Sequence, residues 1–152
     1  MPNNSELPMA LRAAYLALHR QTDSVFRKHG ITADQFVLMA SLSRGVALTQ
    51  RELASRMSSD PSTVRAMLVL LEKQDLICRQ SHPSDSRART VSLTTAGKRK
   101  FRQLWRASES IRKKMSQAIE PTAVEQVIQL LNSLAAVLSS QTTAKLVQTQ
   151  EV

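Results

Sequence analysis

Apolar residues recur at steps of three and four positions in three long segments of the chain. The first segment begins at Leu7 and ends near Gly30, the second starts at Thr94 and includes Phe101–Ile119, and the third begins at Pro121. This spacing places the apolar side chains on one face of an α-helix. It therefore predicts three long amphipathic helices.

Three shorter helices are predicted between the first two long ones, each from the residues that would cap its start. Thr32–Gln35 and Thr49–Glu52 have the spacing of a capping box, in which the first side chain accepts a backbone N–H of the first turn and the fourth reaches back. In Asp60–Pro61, aspartate is a favoured cap and proline a favoured first residue. These helices should end near residues 43, 57 and 74, with Asp75 in the left-handed conformation where glycine usually ends a helix.

The segment Ser81–Gly97 has the pattern of a hairpin with a basic tip. Residues 83–86, Pro-Ser-Asp-Ser, are turn formers, Arg87 and Arg89 would project from the tip, and Thr90–Leu93 alternate like a short returning strand. The whole pattern predicts a mainly α-helical chain with a small β wing. The expected order is long helix, helix, short helix, helix, strand, basic loop, strand and two long helices.

The short helix after Thr49 and the helix after Asp60 have the layout of a helix-turn-helix, whose second helix enters the major groove of DNA. Its buried side should consist of Val64, Met67, Leu68 and Leu71. The side facing DNA should consist of Ser62, Thr63, Arg65, Ala66 and Val69. Arg65 suits either a base edge or a phosphate, and the sequence leaves both open; Ala66 and Val69 suit thymine methyl groups.

The positive charge is concentrated in the middle of the chain. Residues 44–114 hold 16 Lys or Arg and 6 Asp or Glu, the rest holds 5 and 6, and the formal net charge is +9. Clustered cations between neutral ends are typical of a nucleic-acid-binding protein, because they neutralise phosphates and release counterions. A membrane surface is a weaker alternative, and a solvated face that keeps the protein soluble is another.

Several classes of protein are disfavoured by composition. No apolar run approaches the roughly 20 residues that span a bilayer, and the N-terminus lacks the basic start and apolar core of a signal peptide, which predicts a cytoplasmic protein. The three histidines and the single cysteine, Cys78, show no metal-ligand spacing, and the three glycines form no phosphate-binding loop. We therefore predict no metal, no cofactor and no enzymatic activity.

The chain resembles the MarR family, the multiple antibiotic resistance regulators, which are winged helix-turn-helix proteins that bind double-stranded DNA as homodimers. The segments that carry the resemblance are Leu48–Ala54 (LTQRELA), Pro61–Val64 (PSTV), Leu71–Arg79 (LEKQDLICR), Asp85–Ala88 (DSRA) and Val91–Gly97 (VSLTTAG). The resemblance implies that Arg87 enters the minor groove from the wing tip and that Asp85 orients the tip. Arg79 and Arg89 complete the predicted DNA-binding set.

Two segments of the chain depart from the family pattern. Many members carry Asp-Arg before the Leu-Glu-Lys run, where this chain has Val69 and Leu70. A glycine usually precedes the Leu-Ile strand, where this chain has Asp75. The base preference of other members therefore cannot be transferred to this chain, and the turn at Asp75 should survive if side-chain hydrogen bonding supports it.

Dimerisation is predicted by the large apolar faces of the long helices and by the resemblance. We assign residues 1–30 and 98–152 to a helical dimerisation region and residues 31–97 to the winged helix-turn-helix DNA-binding domain. A twofold dimer would set its reading helices about one DNA turn, roughly 34 Å, apart, so a regulator of this kind, most simply a repressor, should bind a near-palindromic operator. Burial of all three faces within one chain is the alternative.

The resemblance also implies an effector. Family members often bind small aromatic or phenolic anions in a cleft between the dimer helices and the winged domain. The candidate lining residues in this chain are Arg12, Tyr15, His19, Phe36 and Met39. Simple core packing of Tyr15 and Phe36, and a structural role of His19, are the plainer interpretations.

Two further functions stay open from the sequence. An architectural, sequence-tolerant DNA-binding protein would share the charge, the fold and the wing. A redox-sensing regulator would act through Cys78, although relatives of that kind use a cysteine in the first helix, where this chain has none. Cys78 instead follows Leu76 and Ile77 in the predicted strand, a place that suits a half-buried small residue.

Overall fold

The computed structural model describes residues 5–148, with side chains through residue 139. The described part is mostly helical and carries a small three-stranded antiparallel sheet, as the pattern predicts. In chain order the elements are α1 (Glu6–Arg27), α2 (Ala33–Leu42), β1 (Leu48–Thr49), α3 (Gln50–Arg56), α4 (Pro61–Lys73), β2 (Ile77–Ser81), β3 (Arg89–Leu93), α5 (Thr95–Ala107), α6 (Glu109–Ala118), a 3-10 turn (Pro121–Ala123) and α7 (Val124–Gln148).

The predicted helix starts are confirmed by their hydrogen bonds. Thr32 Oγ1 accepts the N–H of Gln35 at 3.1 Å, and Gln35 Oε1 accepts the N–H of Thr32 at 3.0 Å. Thr49 and Glu52 form the same reciprocal pair at the start of α3. The left-handed conformation expected at Asp75 is also present, with φ of 57°.

The second long helix is shorter than predicted. The segment from Thr94 to Ile119 forms two helices, α5 and α6, because the backbone at Ser108 (φ −87°, ψ 2°) leaves the helical region. The Ser108 hydroxyl donates to the carbonyl of Trp105 at 2.9 Å, and such a local bond competes with the regular helical ladder. The prediction of one continuous helix is therefore wrong.

The sheet has the order β1-β3-β2. β2 and β3 form the predicted hairpin, with register from Ile77 opposite Leu93 to Ser81 opposite Arg89. The two-residue strand β1 was not predicted; it pairs Leu48 with Val91. Strict alternation along β3 is also not observed, since the neighbouring residues Thr90 and Val91 are both buried.

The wing is joined to α5 through Thr94 and Gly97. The hydroxyl of Thr94 donates to the carbonyl of Asp75 at 2.6 Å, and its oxygen accepts the N–H of Gly97 at 2.9 Å. Gly97 packs so closely that a Cβ atom there would lie 1.9 Å from the carbonyl oxygen of Leu76. The turn before the wing, the end of the wing and the start of α5 therefore meet at one point.

The chain divides into two compact units, one ending at Ile111 and one beginning at Arg112. The first unit contains α1 to α5, and its core is built around fully buried side chains that include Leu38, Leu53, Leu68 and Leu104. The proposed functional boundaries at residues 30/31 and 97/98 stay a prediction. Within the described residues, the helices are too short or too polar to cross a membrane.

Candidate nucleic-acid interface

The helix predicted to read DNA, α4, has one buried and one exposed side. Its buried residues are Val64, Met67, Leu68 and Leu71, as predicted. Its exposed residues include the five predicted to face DNA, Ser62, Thr63, Arg65, Ala66 and Val69. Leu70, which the prediction left out, is also half exposed, at 50%. The residues predicted to face DNA, together with Leu70, therefore combine the cation of Arg65 with hydroxyl groups and an apolar patch.

The start of α4 is held by Asp60. Its Oδ1 accepts the N–H of Thr63 at 2.9 Å, and its Oδ2 accepts the Thr63 hydroxyl at 2.6 Å. These hydroxyl and backbone hydrogen bonds hold the pKa of the Asp60 carboxyl below its ordinary value of 3.8. The Thr63 hydroxyl therefore donates its hydrogen bond to the capping residue Asp60, so toward DNA its oxygen can only accept.

The turn at the wing tip is stabilised by two side chains that accept hydrogen bonds from backbone N–H groups. Asp85 Oδ1 accepts the N–H of Arg87 at 3.0 Å. On the other side of the tip, Nδ1 of His82 accepts the N–H of Ser84 and the N–H of Asp85, both at 3.1 Å. The contact of Asp85 with the backbone of Arg87 has the form expected for a residue that orients the tip, and the side chain of Arg87 is exposed.

A cationic cavity of about 290 Å³ lies between the wing and the start of α3. Four arginines line it together with small or polar residues: Arg51, Arg79, Arg87 and Arg89, with Thr49, Gln50, Ala88 and Val91. None of these lining residues is acidic. An arginine-rich concavity of this kind suits a phosphate.

Arg79 is less accessible than predicted. Its Nε lies 3.0 Å from Oε2 of Glu72 in an ion pair, and 21% of its side chain is exposed. That nitrogen is buried and has no hydrogen-bond partner among the described residues. Arg79 therefore connects β2 to the end of α4 through this ion pair. Its direct contact with DNA stays a prediction.

Sequence reasoning missed Arg51, Gln50 and His82. Gln50 Nε2 donates to the carbonyl of Pro61 at 3.3 Å and so ties the start of α3 to the start of α4. Arg51 lies between Thr49 and Glu52, which form the capping box, and the capping pattern says nothing about the residues between them. His82 next to Pro83 gave no signal, because its contacts depend on how the turn folds.

The residues predicted to line an effector site differ in burial and in their contacts, and the site that they would form stays a prediction. Met39 is completely buried in the core, while Tyr15 is 58% exposed. Phe36 stacks on Phe101 with ring centroids 5.5 Å apart, and His19 lies beside Tyr15 with centroids 5.8 Å apart. The exposure of Tyr15 rules out its interpretation as a simple core residue.

A larger cavity, of about 460 Å³, lies between α2 and α5. It is lined by Ala40, Ser43, Arg44, Phe101, Arg102, Trp105 and Arg106. Three arginines around two aromatic rings match a flat organic anion, since arginine binds carboxylates in a planar fork and stacks on rings. None of the five predicted effector residues is in this lining.

Cys78 lies half buried in β2. Its Sγ is 3.3 Å from the hydroxyl oxygen of Ser92 on the paired strand β3. This is the half-buried strand position expected from the sequence, and the redox role of Cys78 remains untested.

The long helices present apolar side chains at the surface of the chain. In α1, Phe26 is the only buried residue of 22, and Leu7, Leu11 and Leu18 are exposed. In α7, exposed apolar side chains include Ile128, Leu131 and Leu138. Burial of these faces within one chain stays the alternative to the predicted dimer.

Comparison with known proteins identifies relatives of this architecture. A family model described as the MarR family matches residues 31–88. The chain is 31% identical to the HTH-type transcriptional repressor MdtR of Bacillus subtilis (strain 168) over 107 residues, which are 70% of this chain and 69% of MdtR.

Two solved structures share the fold. One is a cysteine-to-serine mutant of MarR from E. coli complexed with operator DNA, with TM-score 0.76 and 22% identity, covering 85% of this chain and 93% of that chain. The other is NadR in complex with 4-hydroxyphenylacetate, with TM-score 0.72 and 22% identity, covering 91% and 97%.

Proposed function

The chain belongs to the MarR family of winged-helix transcriptional regulators, which are not enzymes, and on that premise we propose that it represses transcription by binding a near-palindromic operator as a homodimer. The observation that carries the proposal is the placement of the exposed side of α4 and of an arginine-lined cavity beside the wing. A repressor role is further supported by the name of MdtR, a transcriptional repressor.

The DNA contacts divide between α4 and the wing. The exposed residues of α4 enter the major groove, where Arg65 reaches a base edge or a phosphate. Arg87 enters the neighbouring minor groove, whose negative potential is concentrated where A·T pairs narrow it. Arg51 and Arg89 bind the intervening phosphates, which fix the register of the protein.

The dimer is supported by the exposed apolar faces of α1 and α7. Exposed side chains such as Leu7, at 57%, and Leu138, at 61%, would gain free energy by burial against a second copy. A twofold axis makes the two α4 helices read the same bases on opposite strands, so the operator is an inverted repeat.

Nuclease footprinting on long DNA of mixed sequence at moderate salt tests the regulator against an architectural protein. Protection of a few short inverted repeats is the expected result. Uniform protection, lost in parallel at all sites as salt rises, would contradict the proposal and favour packaging.

Arg51→Gln should weaken binding at every site and reduce the salt dependence, since it removes a phosphate contact.

We further propose that an aromatic carboxylate or phenolate releases the repressor by binding the cavity between α2 and α5. The lining chemistry of Arg44, Arg102 and Trp105 supports this. The cavity lies along α5, whose cap Thr94 ends the wing. A ligand that displaces α5 would therefore move Arg87 and lower operator affinity.

Titration calorimetry with 4-hydroxyphenylacetate as the probe, which NadR binds, tests this site. Arg102→Gln should weaken binding of the probe, whereas Arg99→Gln, an exposed arginine of α5 outside the lining, should not. If Arg12→Gln weakens binding and Arg102→Gln does not, the site is the one predicted from α1. If a panel of aromatic acids gives no heat and no release of DNA, the effector proposal fails and operator binding is unaffected.

A further inference from the structure

His82 is placed where the chain leaves β2 and turns into the wing tip. Its backbone N–H donates to the carbonyl of Ala88 at 3.0 Å, which continues the hairpin ladder by one bond. The residue is half buried. Pro83 follows and has no N–H, so the next backbone donors are those of Ser84 and Asp85.

Both of those donors point at the same ring nitrogen. His82 Nδ1 lies 3.1 Å from the N of Ser84 and 3.1 Å from the N of Asp85. The Ser84 hydroxyl is 3.2 Å from it as well. A ring nitrogen accepts only when it carries no proton, so this geometry assigns the neutral tautomer with the proton on Nε2.

The two sides of the tip are built alike. His82 takes the N–H groups that enter the turn, and Asp85 takes the N–H of Arg87, which leaves it. The carbonyl of Asp85 also accepts the N–H of Ala88 at 3.2 Å. Without the His82 acceptor, the N–H of Asp85 would lose its partner, the carbonyl bond to Ala88 alone would hold its backbone, and the contact of its side chain with Arg87 would loosen.

We propose that His82 is a positioning residue for DNA recognition: its unprotonated Nδ1 fixes the turn so that Asp85 presents Arg87 to the minor groove. The inference rests on the proposed function, because it assigns the means by which Arg87 is oriented. His82 itself need not touch DNA.

Three substitutions separate the acceptor from the ring. His82→Ala removes both, His82→Phe keeps a flat ring without an acceptor, and His82→Asn restores an acceptor, because an asparagine oxygen bonds the N–H two residues ahead in an Asx turn. We expect the alanine and phenylalanine variants to bind an operator with A·T-rich flanks about tenfold more weakly, and the asparagine variant to stay within about threefold of the wild type.

The decisive test is a double-mutant cycle with Arg87→Ala on the full-length protein. Operators with A·T-rich and with G·C-rich flanks are compared, and thermal melts check that each variant is folded. In the wild-type background Arg87→Ala should weaken binding to A·T-rich flanks about tenfold. In the His82→Ala background the same change should cost about twofold or less, because Arg87 is already misplaced.

The outcomes distinguish this inference from the function on which it rests. Additive effects, or failure of His82→Asn to restore the flank preference that His82→Phe loses, overturn the positioning role while operator binding stands. A wild type that prefers no flank also overturns it. A wild type that selects no operator at all overturns the proposed function itself.

Discussion

Gly97 shows how a single residue sets the relation between the wing and α5. Within a helix, glycine is less stable than alanine by about 1 kcal/mol, so propensity alone favours replacement. Here a Cβ would meet the Leu76 carbonyl oxygen at 1.9 Å, and that oxygen already accepts the N–H of Thr94 at 3.1 Å. The close approach explains why a glycine follows the capping threonine by three positions.

Gly97→Ala should therefore lower the free energy of unfolding by about 1–3 kcal/mol, because the backbone must shift to admit the methyl group. Urea unfolding followed by circular dichroism measures the change. An unchanged or increased stability would show that α5 can move away from Leu76 without cost, and would contradict the tight junction.

The helix starts could be predicted because their signals are local. The features that depend on contacts between distant residues could not be predicted. The capping boxes at Thr32 and Thr49 lie within four residues and were found from sequence. The strand β1 exists only because Leu48 meets Val91, 43 positions away, and no local pattern encodes that pairing. The same is true of the turn around His82 and of the cavity that gathers Arg44 with Arg102.

The start of α4 gives the fold a dependence on pH that Asp60 controls. Its pKa is lower in the folded protein than its ordinary value of 3.8. The stabilisation from the charged cap is therefore complete above that value and is lost as the pH falls through the lower folded value. Asp60→Asn keeps an acceptor for the N–H of Thr63 without a titrating group.

The difference in melting temperature between the wild type and Asp60→Asn should thus shrink as the pH falls from 7 to below 3.8. A difference that is constant over this range would show that the charge of Asp60 contributes nothing. Asp60→Ala, which removes the acceptor, should melt below both proteins at pH 7.

The apolar part of the α4 surface should make binding depend on thymine methyl groups. Ala66, Val69 and Leu70 are exposed at helical spacing of three and four, with Val69 at 41% and Leu70 at 50%. Apolar side chains in the major groove distinguish thymine by its methyl group. Burial of one such group contributes about 0.8 kcal/mol, which corresponds to roughly fourfold in affinity.

Replacing thymine by deoxyuridine in the operator half-sites removes the methyl group and keeps every hydrogen bond. Affinity should fall roughly fourfold for each contacted thymine, and Val69→Ser should reduce the effect. Val37→Ser, at an exposed valine of α2, serves as the control. Equal affinity for both DNAs would restrict α4 to polar contacts.

At the scale of the whole molecule, we expect the exposed face of α1 to form part of the proposed dimer interface. Leu11→Asp places a charge within that face, and sedimentation equilibrium should then detect a single chain where the wild type has twice that mass. Ala13→Asp, on the opposite side of α1, should leave the dimer intact. A wild type that sediments as one chain would remove the basis for a palindromic operator.

The proposed twofold dimer, its two α4 helices and its two wings would all contribute to one DNA sequence preference. Selection of bound sequences from a random pool therefore tests the account most directly. We predict enrichment of one inverted repeat whose half-site centres lie about 10–11 base pairs apart, with A·T-rich flanks where Arg87 inserts. Enrichment of no motif, or of a single asymmetric site, would contradict it.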